Sequence, residues 1–386
     1  MSTLSLHIGI MCHTSLGGSV RIARELALAL AQRGHEIHLI TPAIPQGSWD
    51  TLDNHLHHHV VGSNLYSNRH PASLYTTWTK EELLKFTTQV CCIIISKRLE
   101  ILHFHYAVPF AQVAAHIRIH LGDRCPQLVG TLHGTDVTIL GRDPVIGPQL
   151  SSALQAVNGL TTVSHCYARL AQETFCLPNL PKVIPNFINQ TQFDVNNVKN
   201  AFPCQHHRPR LIHISNFRLV KNPQAIAHIF LALRQRIDAE LWLIGSGPEL
   251  PAIKEIIERS SYQSDVTFWG VQKDVAPLLA QTDLMLITSQ QESFCLAALE
   301  AMSLGVPVLA SKVGGLPELI HHQVNGLLFL LDDLPSAVEM AVNLLTQPTQ
   351  YQAMRAAAIA QAQQYDHKKV IPLYEDYYQT LLNNVI

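Results

Sequence analysis

Strand-like and helix-like segments alternate along this chain, pause once, and then alternate again, and that rhythm limits the fold more than any other feature. Residues 6–11, 36–40, 101–105, 128–132 and 160–163 are short apolar runs of strand length. Residues 20–33 carry Ile22, Leu26, Ala29 and Leu30 at helical spacing, and Gly34 stops the pattern. The pause covers residues 185–209, where Asn186, Asn189, Asn196, Asn197, Asn200 and Pro203 make the sequence polar and turn-rich. Strand-like runs resume at 211–215, 240–244, 266–269, 284–288 and 306–310, with helical patterns such as 251–259 and 296–303 between them. Apolar strands separated by helices belong to parallel sheets covered on both faces. The predicted class is α/β, with Rossmann-like, doubly wound units at residues 1–190 and 191–370. Ligands in such sheets sit beyond the carboxyl ends of the strands, so the expected site is the cleft that the two units face. Residues 371–386 hold Tyr374, Tyr377, Tyr378, Leu381, Leu382 and Val385 at helical spacing. That helix is expected to cross back and pack on the first unit, ordinary packing on its own unit being the plainer alternative.

Composition removes several function classes. At about 150 residues per domain, 386 residues make two to three domains. With 47% hydrophobic and 15% charged residues the chain is not intrinsically disordered. A formal charge of -2 lacks the basic footprint of a general nucleic-acid binder. The first residues carry no basic segment of the signal-peptide kind. No run reaches the ~20 apolar residues of a membrane span, and the longest, 90–95, is closed by Ser96, Lys97 and Arg98. The 8 cysteines contain no C-x2-C pair, which argues against a zinc ribbon and reads as free cytosolic thiols. The expected location is cytoplasmic, without nucleic-acid or membrane partners; a homo-oligomer is compatible with the sequence.

Four motifs close strands and could carry chemistry. Residues 291–302, QESFCLAALEAM, follow a strand and open a helix. The amides of Phe294, Cys295 and Leu296 would start that helix, where orphan N–H groups and the macrodipole favour an anion. Glu292 in the loop and Glu300 two turns into the helix could then take hydroxyls on either side of a phosphate. The plainer reading is a charged helix start and a solvated carboxylate. Residues 215–222, SNFRLVKN, put Arg218 and Lys221 at another strand end, as a planar fork and a point charge for phosphate oxygens, or as two solvated loop cations. Gly17, Gly18 and Ser19 lie between the first strand and first helix, where glycine allows close backbone approach, though most such turns are only turns. Residues 131–136, TLHGTD, set His133 beside a glycine at a strand end. His103 and His105 fall on one face of the preceding strand with no third ligand nearby in sequence, and His57, His58 and His59 read as a solvated turn or strand edge, so no metal is expected. Residues 245–249 (GSGPE) and 313–318 (VGGLPE) are further turns from strand to helix.

Taken in order, GGS after the first strand, SNFRLVK, GSGPE, Glu292-x7-Glu300 and VGGLPELI resemble the retaining family 4 glycosyltransferases of GT-B fold. Residues 102–111, 131–144, 163–175, 184–189 and 213–222 are most similar to the members of that family that move N-acetylglucosamine from UDP to L-malate in bacillithiol biosynthesis. The resemblance implies that Glu300 binds the uridine ribose, Arg218 and Lys221 the diphosphate, and Glu292 with the 294–296 amides the sugar. His133 would face the sugar, while Gly17, Gly18, Ser19, Tyr106 and Thr131 would line the acceptor site. It implies UDP-N-acetylglucosamine and a small hydroxy acid as substrates, same-face attack without a protein nucleophile, and no metal cofactor.

Three positions depart from the family pattern, one of them Pro185, where the usual Y-N-F reads Pro185-Asn186-Phe187. The usual GGSG is Gly17-Gly18-Ser19-Val20, which is expected to crowd the acceptor loop. The usual E-S-F-G ends in Cys295, which puts a side chain where backbone normally approaches phosphate. The same architecture is compatible with a glycan or lipid acceptor, a UDP-sugar epimerase or a degenerate sugar-nucleotide-binding protein.

Overall fold

In the computed structural model of the chain, residues 5–14, 17–43, 53–62, 78–194, 197–198 and 208–384 are described. Asn196, Asn200 and Pro203 of the polar pause, Cys204 and Val385 lie outside them. The chain divides into two compact units, Met1–Asn186 with Lys368–Ile386, and Phe187–His367. The sequence boundaries near 190 and 370 thus fall at 186/187 and 367/368. The reason is local: Phe187 and Ile188 are buried, Ile188 N–H donates to Tyr365 O, and His367 N–H donates to Ile188 O.

The first unit holds a parallel sheet of β1 (His7–Met11), β2 (Glu36–Thr41), β3 (Leu56–Val60), β4 (Ile101–His105), β5 (Gln127–Leu132), β6 (Gly159–Thr162) and β7 (Lys182–Val183). Their order is β3-β2-β1-β4-β5-β6-β7, the doubly wound arrangement, with the reversal between β1 and β4. β1 to β6 are almost wholly apolar or buried except for β3, and helices such as Gly18–Gln32 and Ala107–Leu121 bury Ile22, Leu26, Phe110 and Val113. β3 is one of the two edge strands of this sheet, and it contains His57, His58 and His59. Their polar side chains suit an edge: His58 bonds Thr41, His59 bonds His38, and His57 pairs with Glu36.

The terminal helix, His367–Asn383, belongs to this first unit. Tyr374, Tyr378 and Leu381 form its buried stripe. Arg33 grips Glu375 through both carboxylate oxygens at 2.6 and 2.7 Å. Leu6 N–H donates to His35 Nδ1, so His35 Nε2 carries the proton that it donates to Glu375 at 3.0 Å.

The second unit repeats the plan with β8 (Arg210–Ile214), β9 (Glu240–Ile244), β10 (Val266–Gly270), β11 (Leu284–Ile287), β12 (Val308–Ser311) and β13 (Leu327–Phe329). The order is β10-β9-β8-β11-β12-β13, all parallel, with the reversal between β8 and β11. Helices Pro223–Arg234 and Leu334–Thr346 cover one face around Phe230, Leu233, Ala337 and Ala341. Among the described residues no helix is long and apolar enough to cross a membrane.

Candidate active site

In the second unit the sequence motifs converge at the strand ends beside the sheet's reversal. The loop after β8 is built by hydrogen bonds that the sequence motif does not reveal. His213 is buried, with Nδ1 against Leu286 O at 2.8 Å and Nε2 against Ser215 Oγ at 2.7 Å. Ser215 Oγ in turn accepts the Phe217 N–H at 3.1 Å. Burial pulls the His213 pKa down to about 4, so the ring works as a neutral strut. A short turn, Leu219–Lys221, follows Arg218, and Thr288 Oγ donates to the carbonyls of Lys221 and Asn222. That bond ties the loop after β8 to the end of β11.

Lys221 Nζ makes an ion pair with Glu292, whose Oε1 also accepts from Ser289 Oγ at 3.0 Å. Burial opposes the charge on Lys221, yet the Glu292 carboxylate outweighs it and holds the ammonium above its ordinary pKa. The backbone of Glu292 is gripped as well. Gly315 N–H donates to its carbonyl at 2.8 Å, and a Cβ on Gly314, at φ +54°, would stand 2.0 Å from that oxygen. The VGG turn is therefore a seat for Glu292. In the same way a Cβ on Gly247 would lie 1.8 Å from Asn216 O, so the GSG turn packs directly on the loop that carries Arg218.

The helix Leu296–Ser303 falls on the expected residues, and Cys295 caps it in the left-handed region at φ 77°. Glu300 is buried and lies in the second turn of that helix. Phe294 is buried edge-on against Tyr365, with ring centroids 5.4 Å apart. Burial raises the Cys295 thiol pKa strongly, which leaves it a poor nucleophile at neutral pH.

In the first unit the chemistry-bearing residues lie at the ends of β4 and β5 and at the start of the first helix. His105 Nδ1 and His133 Nε2 are 3.0 Å apart. Asp136 is fully buried and accepts the amides of His133 at 3.1 Å, Gly134 at 2.7 Å and Ala107 at 3.2 Å. It fixes the loop of His133 from below, a role that the TLHGTD motif contains but spacing alone does not disclose. Burial pushes its carboxyl above the ordinary value against the pull of those amides. Tyr106 sits at φ 79° with its hydroxyl 2.8 Å from Thr135 Oγ.

Two expectations are corrected here. Thr131 is fully buried, and its hydroxyl is committed to His103 Nε2 and Thr161 Oγ, each at 2.7 Å. It supports the site from within the sheet and presents no hydroxyl to an acceptor. Val20 is 5% exposed and shares the buried helix face with Ala23 and Ala27, so its side chain packs inward. Gly17, Gly18 and Ser19 keep partial or full exposure at that helix start. Among the described residues no group of three or more His, Cys, Asp or Glu is placed to hold a metal.

Comparison with known proteins follows this division. Residues 16–192 match the family described as Glycosyltransferase Family 4, and residues 208–347 match Glycosyl transferases group 1. The chain is 35% identical to the N-acetyl-alpha-D-glucosaminyl L-malate synthase of Bacillus anthracis, over 99% of this chain and 98% of that one. It is 26% identical to a D-inositol 3-phosphate glycosyltransferase of Segniliparus rotundus, over 94% and 85% of the two chains. Among solved structures it is similar in fold to the sucrose-phosphate synthase of Thermosynechococcus elongatus, with a TM-score of 0.81, 18% identity and 98% of this chain and 100% of that one covered. Anabaena HepE in complex with UDP and glucose gives a TM-score of 0.77 at 18% identity, over 97% and 100%. With both halves of the chain matched in order and a relative aligned end to end, the chain belongs to the family 4 glycosyltransferases and has the GT-B fold.

Proposed function

We propose that this glycosyltransferase moves N-acetylglucosamine from UDP-N-acetylglucosamine to L-malate with retention of the α configuration. The observation that carries the donor half is the Lys221–Glu292 pair beside the helix start of Leu296–Ser303. Lys221 and Arg218 take the leaving diphosphate, Glu300 the ribose, and Glu292 with the amides of residues 294–296 the sugar. The acceptor half rests on the end-to-end similarity to the Bacillus anthracis synthase and on Ser19, at an exposed helix start suited to a carboxylate. Tyr106 joins Ser19 there, and His133 is assigned to a substrate oxygen.

The chemistry follows from these charges. The C1–O bond to the diphosphate breaks, and positive charge builds on the sugar ring while negative charge builds on the leaving oxygen. Preorganised cations aimed at that oxygen lower the barrier most. The acceptor hydroxyl attacks C1 from the face the diphosphate leaves, and the departing phosphate oxygen takes its proton. UDP and the glycoside are the products, no protein nucleophile is needed, and Lys221 with Arg218 supplies the cationic charge that another enzyme would draw from a divalent ion. A cytoplasmic location suits both substrates.

An acceptor panel tests the acceptor half. Product formation with L-malate above other hydroxy acids, polyols, glycans and lipid acceptors supports the proposal. Transfer to a glycan or lipid with none to malate keeps the glycosyltransferase and refutes the malate assignment.

A further inference from the structure

We infer that His105 is a positioning residue that sets the tautomer of His133: its Nδ1–H donates to His133 Nε2, so His133 carries its own proton on Nδ1. His103 and His105 are two residues apart on β4 and therefore share a face. The His103 ring is tied at both nitrogens, by Tyr378 OH of the terminal helix and by Thr131 Oγ, each at 2.7 Å. The His105 ring lies against it at 4.5 Å between centroids and against His133 at 5.2 Å. His105 is thus clamped, and its Nδ1 meets His133 Nε2 at 3.0 Å.

The direction of that bond follows from what happens at the other side of the ring. Burial pulls the His133 pKa down to about 3 and that of His105 well below its ordinary value. Each ring is neutral and owns one N–H. His105 Nε2 is buried and meets no hydrogen-bond partner among the described residues. If His133 donated, the His105 proton would sit on that Nε2, and a buried N–H would have no acceptor. If His105 donates, the buried orphan is only a lone pair. Orphaned buried N–H groups are the rarer and costlier of the two. The ring of His133 therefore accepts from the sheet, and whatever its Nδ1 meets in a substrate complex it meets as a donor.

The tautomer can be read on the full chain labelled with 15N-histidine, by long-range 1H–15N correlation, with His133 assigned through His133→Gln. The expected result is a bare Nε2 and a protonated Nδ1; a protonated Nε2 overturns the inference. Two variants add a functional readout, which rests on the proposed role of His133. His105→Phe keeps a ring against His103 but removes the donor, and is expected to release the His133 tautomer and to lower kcat/KM about ten- to a hundredfold, the size of effect when the partner orienting a working imidazole is lost. His105→Asn keeps an N–H near the Nδ1 position and is expected to restore both. An unchanged His133 tautomer in His105→Phe overturns the inference, and the wild-type spectrum alone decides it if that variant does not fold. The predicted tautomer in a protein that transfers nothing from UDP-N-acetylglucosamine supports the role of His105 and refutes the proposed function instead.

Discussion

Lys221 and Glu292 are ion-paired across the loops that follow β8 and β11, the two strands that meet where the second sheet reverses its order. Each partner has a role in the proposed reaction and each holds the other in place. Lys221→Ala removes a cation and leaves the buried Glu292 carboxylate without its ion-pair partner, still accepting from Ser289 Oγ. Loss of one preorganised charge partner costs roughly 10²–10³ in rate. Steady-state kinetics of Lys221→Ala and Arg218→Ala should show drops of that order in kcat. Near-normal kcat in both would remove them from the leaving group.

Gly314 tests the seat beneath Glu292. An alanine there would place Cβ 2.0 Å from the Glu292 carbonyl and hold a side chain at φ +54°. Backbone strain of this kind costs on the order of 1–3 kcal/mol. Gly314→Ala should lower thermal stability and weaken binding of UDP-N-acetylglucosamine in calorimetry, because Glu292 must move. Donor affinity equal to wild type would show that the seat does not set the position of Glu292.

Cys295 holds a left-handed backbone conformation that glycine adopts without penalty. Strain relief in Cys295→Gly is worth about 1–2 kcal/mol, set against the lost packing of a half-buried side chain and the larger chain entropy of glycine. Stability should stay within about 1 kcal/mol of wild type, while the KM for the donor falls as backbone becomes free to approach phosphate. An unchanged KM would mean that the thiol does not crowd the donor.

Glu375 gives the terminal helix a pH-dependent hold on the first unit. Burial alone would raise its pKa, but His35 and Arg33 outweigh that and bring it from the ordinary 4.5 to about 2. A carboxylate with a depressed folded pKa stabilises fully above its unfolded value and loses that contribution as pH falls through the folded one. The contribution of Glu375 is therefore present above about pH 4.5 and fades toward about pH 2. Glu375→Gln should cost about 2 kcal/mol in urea unfolding at pH 7, and the gap to wild type should narrow at pH 3. A gap that is constant with pH would contradict an ionic hold.

The architecture was legible because apolar strands in a covered parallel sheet announce themselves by composition, and β4, β9 and the helix Leu296–Ser303 fall on the predicted residues. The motifs at strand ends were legible for the same reason, since a doubly wound sheet places strand termini together. Contacts between distant segments were not. The family resemblance assigns Thr131 to the acceptor site, but whether its hydroxyl faces ligand or sheet depends on His103 and Thr161 from neighbouring strands. Val20 looked obstructive because sequence does not say which way a residue at a helix start points. The struts His213, Ser289 and Asp136 bond across elements or into a loop, and their spacing has no periodic signature.

Transfer of N-acetylglucosamine from UDP to L-malate with retention, as proposed, can be followed in a single reaction by NMR. UDP-N-acetylglucosamine and L-malate are mixed with the enzyme, and the anomeric signal of the product is read as UDP accumulates. The expected result is an α-linked glucosaminyl malate formed in step with UDP and no product without malate. A β-linked product, or UDP release at the same rate with and without malate and no malate glycoside, would contradict it.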